Sequence, residues 1–301
     1  MQEKVIIITI NYAQNQYTID CIKSLLNLNY DNFQIFLVDN GASVENHNDL
    51  KRKIPDDKRL TYYRLNTNIG YVGGVNFALN QGMKLNPNYF LIMNNDTIID
   101  KNAVNELVNC CKTNYNNAIV SGKVYNYDDP QCLQYVGSKL INSGILKYKS
   151  LGVNEIDKGQ YDSIEERDML DDIFWLIPTE IYKVIGNYSP YFWFNNEQAD
   201  YALRAKKAGF KLLYTPYAKL WHKGSVAIGG RNKNPALAYW TIQGTLIFRY
   251  LHLSKSQFIL FYLKTLVSIL ASFIVSIKKF INRDANSFDY VKAKFSGLMY
   301  F

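Results

Sequence analysis

The sequence is short of the residues that build sulfur-based or zinc-based frameworks. Its 301 residues include four cysteines, Cys21, Cys110, Cys111 and Cys132, and three histidines. No CxxC pair occurs and two of the cysteines are adjacent, so neither a structural zinc site nor a disulfide framework is expected. The thiols read as reduced and partly buried, which places the chain in the cytosol. Although the net charge is +8, there is no Lys/Arg run and no nucleic-acid-binding motif. The basic balance therefore points to phosphorylated ligands or anionic membrane, and nucleic acid is not an expected partner. The N-terminus lacks the long apolar core and small-residue cleavage site of a signal peptide and reads instead as a buried strand. Internal repeats and low-complexity segments are also missing.

What is present is a strand–helix rhythm. Val5 to Ile10 is a β-branched run of strand length, Tyr17 to Leu28 carries apolar residues at helical spacing, and Phe33 to Val38 is a second apolar run. Leu60 to Leu65 and Tyr89 to Met93 read as further strands around a helix that Gly70, Gly73 and Gly74 open. This alternation predicts an α/β fold with a mostly parallel sheet. Ligands of such sheets bind beyond the carboxyl ends of the strands, where Asn11, Asp39, Gly70 and Asn94 fall. Residues 1–100 are thus expected to form the nucleotide-binding half, 101–245 a second half of the same domain and 246–301 a helical extension. Within the second half, Asp157 to Asp172 reads as a charged mobile loop.

In the extension, Gln257 to Ile277 has one charge, Lys264, and is followed by Lys278 and Lys279. Its length borders on that of a membrane span, but the Ser, Thr and Lys interruptions favour a helix lying in the membrane interface with basic residues against anionic lipid. A buried helix of the soluble fold is the bland alternative.

Several segments carry chemistry. Asn94-Asn95-Asp96 ends a strand, where a carboxylate can hold a divalent cation against phosphates, although Asn-Asp turns follow many strands. Asp39 can accept from a nucleobase or ribose, or cap the Asp39-Asn40-Gly41 turn. The Gly70 loop could present N–H groups to phosphate, but it is not a GxGxxG fingerprint. Glu197 and Asp200 follow the aromatic stretch Tyr191-Phe192-Trp193-Phe194 and could supply a general base; they also suit the start of a helix. His222, after Trp221, is a metal ligand or a structural histidine. No Gly-rich, Arg/Lys-bearing loop follows the first strand, which argues against a nucleotidyltransferase.

Taken in order, TINYAQNQYTIDCIKSLL, FLVDNGAS, NTNIGYVGGVNFAL, LIMNNDT and YFWFNNEQADYALRAKKAGFKLLYTPYAKLWHKGS resemble the family 2 glycosyltransferases of GT-A fold, in particular the rhamnosyltransferase and galactofuranosyltransferase subgroup. The resemblance covers roughly residues 4 to 250. It implies inverting transfer from a UDP- or dTDP-sugar, with Mg²⁺ or Mn²⁺ on the diphosphate, to a glycan or lipid-linked saccharide of a bacterial surface polysaccharide. The site of action would be the inner face of the cell membrane, and a homo-oligomer is compatible with this reading. Carried over by position, Thr9, Asn11, Asp39, Asn68, Gly70, Asn76 and Asn95 would bind the nucleotide. Asp96 and His222 would hold the metal, and Trp175 and Trp193 would face the sugars, unless the tryptophans are core. The family's acidic motif places an Asp where this chain has Gln198, and an amide is no base. Glu197 or Asp200 is then expected to take the role, Glu197 preferred; the alternative is a weakly active or purely binding homologue.

Overall fold

The computed structural model describes residues 2–224, 234–281 and 285–300, without the side chains of 275–281 and 285–288. The β-branched opening run forms β1 (Val5–Asn11), every residue of which is buried. It is followed by α1 (Asn15–Leu26), β2 (Phe33–Asn40), α2 (Val44–Lys53), β3 (Leu60–Leu65), α3 (Gly70–Met83), β4 (Tyr89–Met93), β5 (Thr97–Ile99) and α4 (Ala103–Thr113). The second half contributes β6 (Ala118–Asn126), β7 (Cys132–Tyr135), β8 (Ser138–Asn142), β9 (Lys147–Ser150), β10 (Glu155–Ile156), β11 (Glu165–Glu166) and β12 (Phe174–Pro178). It closes with α5 (Thr179–Ile185), α6 (Glu197–Lys207) and β13 (Lys211–His222); α7 (Pro235–His252), α8 (Lys255–Ile281) and α9 (Ala285–Met299) complete the described chain.

The central sheet runs β10-β7-β6-β12-β4-β1-β2-β3. Strands β3, β2, β1 and β4 are parallel neighbours, and the chain joins β1 to β2, β2 to β3 and β3 to β4 through α1, α2 and α3. β12 enters antiparallel between β4 and β6, and β13 lies parallel to β6. Successive residues of β1 alternate between two cores. Val5 and Ile7 pack with Leu25, Leu50 and Leu107 under α1, α2 and α4; Ile6, Ile8 and Ile10 pack with Val75, Leu79 and Tyr201 under α3 and α6. A sheet covered on both faces needs apolar residues on both, and this explains the unbroken apolar run in place of polar alternation.

Two expectations need correction. The 157–172 segment is tied down: Lys123, 2% exposed, reaches Asp157 and Asp162, and the Arg167 side chain is buried and donates to the Val136 carbonyl. Its charges read as a loop because their partners lie far away in sequence. The expected boundary at 245/246 falls inside α7, which Asn234 caps by accepting from the Leu237 N–H and Pro235 starts. The four cysteines are free and buried.

In α8, residues 255–274 have a mean hydropathy of 1.8, with only 6% of the apolar window buried. One edge packs through Phe258, Phe261, Tyr262 and Leu266 on α7 and α9. Leu260, Leu263, Val267, Leu270 and Ile274, at helical spacing, face outward. The fully buried alternative is thereby removed for these residues. The side chains of Lys278 and Lys279, and Arg283, lie outside the described residues.

Candidate active site

A cleft of about 890 Å³ opens beyond the ends of β1, β2 and β4. Its walls come from the 68–71 turn, the 94–96 turn, the 171–173 lead into β12, the first turn of α6, and α7.

The β13–β5 pairing, His222 opposite Thr97, delivers the imidazole to the 94–96 turn. His222 Nε2 lies 3.1 Å from Asp96 Oδ1. The other ring nitrogen, Nδ1, is 2.8 Å from Gln134 Oε1, which can only accept, so Nδ1 carries the proton. In the neutral ring, Nε2 then presents a lone pair, and the Asn94 amide donates to it at 3.2 Å. Nε2 and the carboxylate oxygen face each other at 3.1 Å, a contact that either a proton on Nε2 or a cation between them satisfies. This donor set fits a divalent cation: a carboxylate and an imidazole would hold it, with diphosphate oxygens and water filling the remaining positions. Among the described residues, no third His, Cys, Asp or Glu joins the pair.

The polar residues at the ends of β1 and β2 form a network behind the cleft. Asp39, fully buried, accepts from Asn11 Nδ2 at 3.2 Å and from Tyr62 Oη at 2.7 Å, with His47 Nδ1 at 3.2 Å. Thr18 donates to Asn11 and accepts from Asn95, so the 94–96 turn is tied to α1. Asn68 accepts from the Gly70 N–H at 2.8 Å and shapes the turn into α3. Gly70 has φ +78°, and a Cβ there would lie 2.7 Å from the Trp193 ring, so both the turn and the close approach require glycine.

Two successive left-handed residues, Asn195 (φ 76°) and Asn196 (φ 68°), set the entry into α6. They turn Glu197 and Gln198 toward the cleft. α7 holds this turn: Asn195 and Asn196 donate to Thr241 and Thr245, and a Cβ on Gly244 would lie 2.1 Å from the Asn195 carbonyl. Glu197 is 3% exposed, and its Oε2 has no hydrogen-bond partner. Burial, reinforced by the Asp172 carboxylate, pushes its pKa well above the usual range. Asp172, between the Tyr71 and Tyr188 hydroxyls, is pushed up to about 7 by burial and by Asp171; the two hydroxyls only partly offset this. Gln198 Nε2 donates to Asp171 Oδ2 at 3.4 Å.

Of the residues expected from sequence, Asn68, Gly70, Asn95, Asp96, Trp193, Glu197, Gln198 and His222 line the cleft. Thr9, Asn11 and Asp39 lie fully buried behind it. Asn76 is spent on the backbone of Tyr188, donating at 2.9 Å to its carbonyl and accepting at 2.9 Å from its N–H. Trp175 is a correction: it is fully buried against Tyr188 and Tyr201 and cannot meet a sugar. So is Asp200. Its carboxylate faces α7, 2.8 Å from both His252 Nε2 and Arg204 Nε. Burial pushes its pKa up, but these partners outweigh burial and leave it below the usual range, unsuited to take a proton. Sequence reasoning missed Asp171 and Asp172, absorbed into the supposed loop, although two acids directly before an apolar strand are a signal. It also missed Trp240 of α7, which stacks on Trp193 at 5.7 Å and 11° in the cleft wall.

Residues 4–174 match the family described as Glycosyl transferase family 2. No curated protein matches the chain. Among solved structures, it is similar to the mannosyltransferase PcManGT from Pyrobaculum calidifontis in complex with GDP-Man and Mn²⁺, with a TM-score of 0.58, 10% identity, and 100% of this chain and 88% of that one covered. It is similar to GalNAc-T7 with UDP, GalNAc and Mn²⁺ at a TM-score of 0.55 and 12% identity, covering 73% of this chain and 43% of that one. Residues 1–349 of S. aureus TarS align at a TM-score of 0.50 and 13% identity, covering 81% and 65%. The chain thus spans less than two thirds of the GalNAc-T7 and TarS structures. At such identities the likeness establishes the fold, the GT-A arrangement of a central sheet between helices; the sheet is mixed, parallel over β4-β1-β2-β3 and antiparallel over β10-β7-β6-β12-β4, not mostly parallel as expected.

Proposed function

This chain belongs to glycosyl transferase family 2, and from that premise we propose that it moves a sugar, with inversion, from a UDP- or dTDP-sugar onto a glycan or lipid-linked saccharide. The observation that carries the reading is the Asp96–His222 pair, 3.1 Å apart, in one cleft with the carboxyls of Asp171, Asp172 and Glu197. Asp96 and His222 would hold Mg²⁺ or Mn²⁺, whose charge stabilises the departing diphosphate. Asn68, Gly70 and Asn95 line the donor side, backed by Thr9, Asn11 and Asp39. Trp193 offers an aromatic face to the sugars. The finer reading follows the sequence resemblance: a rhamnosyl or galactofuranosyl donor and a bacterial surface polysaccharide product, made at the cytoplasmic face of the membrane.

The experiment is nucleotide release from a panel of UDP- and dTDP-sugars with Mn²⁺ and octyl glycosides as acceptors. Turnover that EDTA abolishes supports the reading, and turnover of any kind excludes a purely binding homologue. The Asp96→Ala variant should lose Mn²⁺-dependent nucleotide affinity by about 10–100-fold. Equal affinity in both proteins, with and without EDTA, would remove the metal from the reading.

A further inference from the structure

The position expected to supply a general base holds Gln198, yet the cleft is not poor in carboxyls. Asp171, Asp172 and Glu197 all line it, and their settings differ. Glu197 sits at the buried end of the group, where burial and Asp172 favour its protonated form. Asp172 accepts from two tyrosine hydroxyls, Tyr71 at 3.1 Å and Tyr188 at 3.0 Å. Asp171 accepts from N–H groups instead: the Ile173 backbone reaches its Oδ1 at 3.1 Å and the Gln198 amide reaches its Oδ2 at 3.4 Å. An N–H cannot reverse its role and accept, so these donors favour the ionised carboxylate and fix its orientation. Neighbouring carboxyls do not all ionise together, and the one held by fixed donors is the one that keeps its charge.

The strand pairing sets the segment that carries this carboxylate close to the turn that carries Asp96. Phe174 is opposite Met93, and the Asn94 N–H donates to the Ile173 carbonyl at 3.0 Å. The 171–173 lead therefore runs beside the 94–96 turn that carries Asp96. Asp171 nonetheless stands apart from the cation ligands, since no third acidic group joins Asp96 and His222 among the described residues. A second observation marks the group as incompletely satisfied: Glu197 Oε2, almost wholly buried in the cleft wall, has no hydrogen-bond partner. A buried polar atom left unsatisfied is costly to the fold.

We propose that Asp171, oriented by Gln198, is the catalytic residue that takes the proton of the acceptor hydroxyl. The inference rests on the transfer reading above. In the step, the acceptor oxygen forms its bond to the anomeric carbon of the donor as its O–H proton passes to Asp171. The bond from that carbon to the diphosphate oxygen breaks, and its electron pair leaves with the nucleotide. The proton on Asp171 is afterwards lost to solvent. Gln198 is thus a positioning residue, an amide that serves the base from the place where a base would stand.

The test uses the full chain in the nucleotide-release assay with Mn²⁺ and octyl glycosides. If the wild-type protein turns over no donor in the panel, the transfer reading fails and this inference falls with it. If the wild type is active, Asp171→Asn should lower kcat by about 10²–10⁴-fold. Its Mn²⁺-dependent nucleotide affinity should stay within twofold, and its residual rate should climb with pH without a plateau. Turnover within threefold of wild type overturns the assignment. So does loss of Mn²⁺-dependent nucleotide binding, which would make Asp171 a donor or metal ligand. A hydroxide-dependent profile in Glu197→Gln but not in Asp171→Asn also overturns it. Should Asp171→Asn fail to fold, Gln198→Glu decides. Replacing the amide donor with a carboxylate raises the pKa of the base, so the acid limb of kcat/KM should move to higher pH, with Gln198→Asn moving it less. An unmoved limb in Gln198→Glu overturns the proposal.

Discussion

Asp172 keeps a carboxyl among two tyrosine hydroxyls and two further acids, with its pKa raised to about 7. The consequence for stability has a definite sign. Between the ordinary Asp value of about 3.9 and the raised folded value, the folded state holds a proton that the unfolded chain has released. This contribution is fully present below that window and is lost as pH rises through it. Asp172→Asn, which still accepts from a tyrosine hydroxyl but never ionises, should therefore raise Tm at pH 8 and leave it nearly unchanged at pH 4. The expected gain is about 1 kcal/mol or more, roughly 3 °C. Melts at the two pH values check this, and a variant equally affected at both would refute it. At Asp200 the sign reverses. Its ion pair with Arg204 and its hydrogen bond with His252 stabilise the carboxylate, so its contribution is present above the ordinary Asp range and is lost as pH falls below it. Individual residues were unevenly legible in the sequence. That Asp96 and His222 share the cleft could be anticipated because one lies in the turn after β4 and the other closes β13, in motifs of fixed order. Trp175 could not be placed, since an aromatic in a run such as FWLIP fits a sugar wall and a core strand equally well. Asp200 pointed at the cleft in sequence but at α7 in space, because its partner His252 lies 52 positions away.

The helix that most alters the reading of the site is α7. It supplies Trp240, Leu237 and Thr241 to the cleft and packs Phe248 into the core under α3 and α6. The parallel strands were legible because their apolar runs are continuous and their loops polar. α7 was not, because it is apolar on several sides and merges in composition with the segment after it. It reads as part of an appendage until Asn234 is seen capping it and Trp240 meeting Trp193. With the two indoles stacked, one wall of the cleft depends on a helix beyond the matched 4–174. Trp240→Ala should raise KM for the octyl glycoside acceptor about 3–10-fold, in keeping with the ~0.5–1.5 kcal/mol of an aromatic pair. It should change nucleotide affinity little. Steady-state kinetics with each substrate varied in turn would show this, and an unchanged acceptor KM would return Trp240 to a packing role.

At the scale of the whole molecule, the outward stripe of α8 lies beside the edge through which that helix packs on α7, itself part of the cleft wall. An apolar stripe lying on a lipid surface would hold the cleft close to an acceptor embedded in the same surface. Full-length protein should co-sediment with anionic liposomes, and a Leu260→Glu, Leu263→Glu, Val267→Glu variant should stay in the supernatant with its Tm intact. Each carboxylate facing lipid opposes both burial and the anionic headgroups. Wild-type protein that never co-sediments ends the membrane proposal.

The clasp of α7 on the Asn195–Asn196 turn also has a meaning in time. Both residues hold left-handed backbone that neither would keep unaided, and the groups that hold it, Thr241, Gly244 and Thr245, are made some 46–49 residues later. As the chain is made, the parallel strands and the 94–96 turn can be in place while the α6 entry is still unset. On the function proposed above, the chain would then gain its catalytic geometry only once α7, next to the helix proposed to meet the membrane, has been synthesised. A released fragment of residues 1–230 should accordingly bind nucleotide with Mn²⁺ without releasing it from a donor, and release by that fragment would show that α6 sets its own entry.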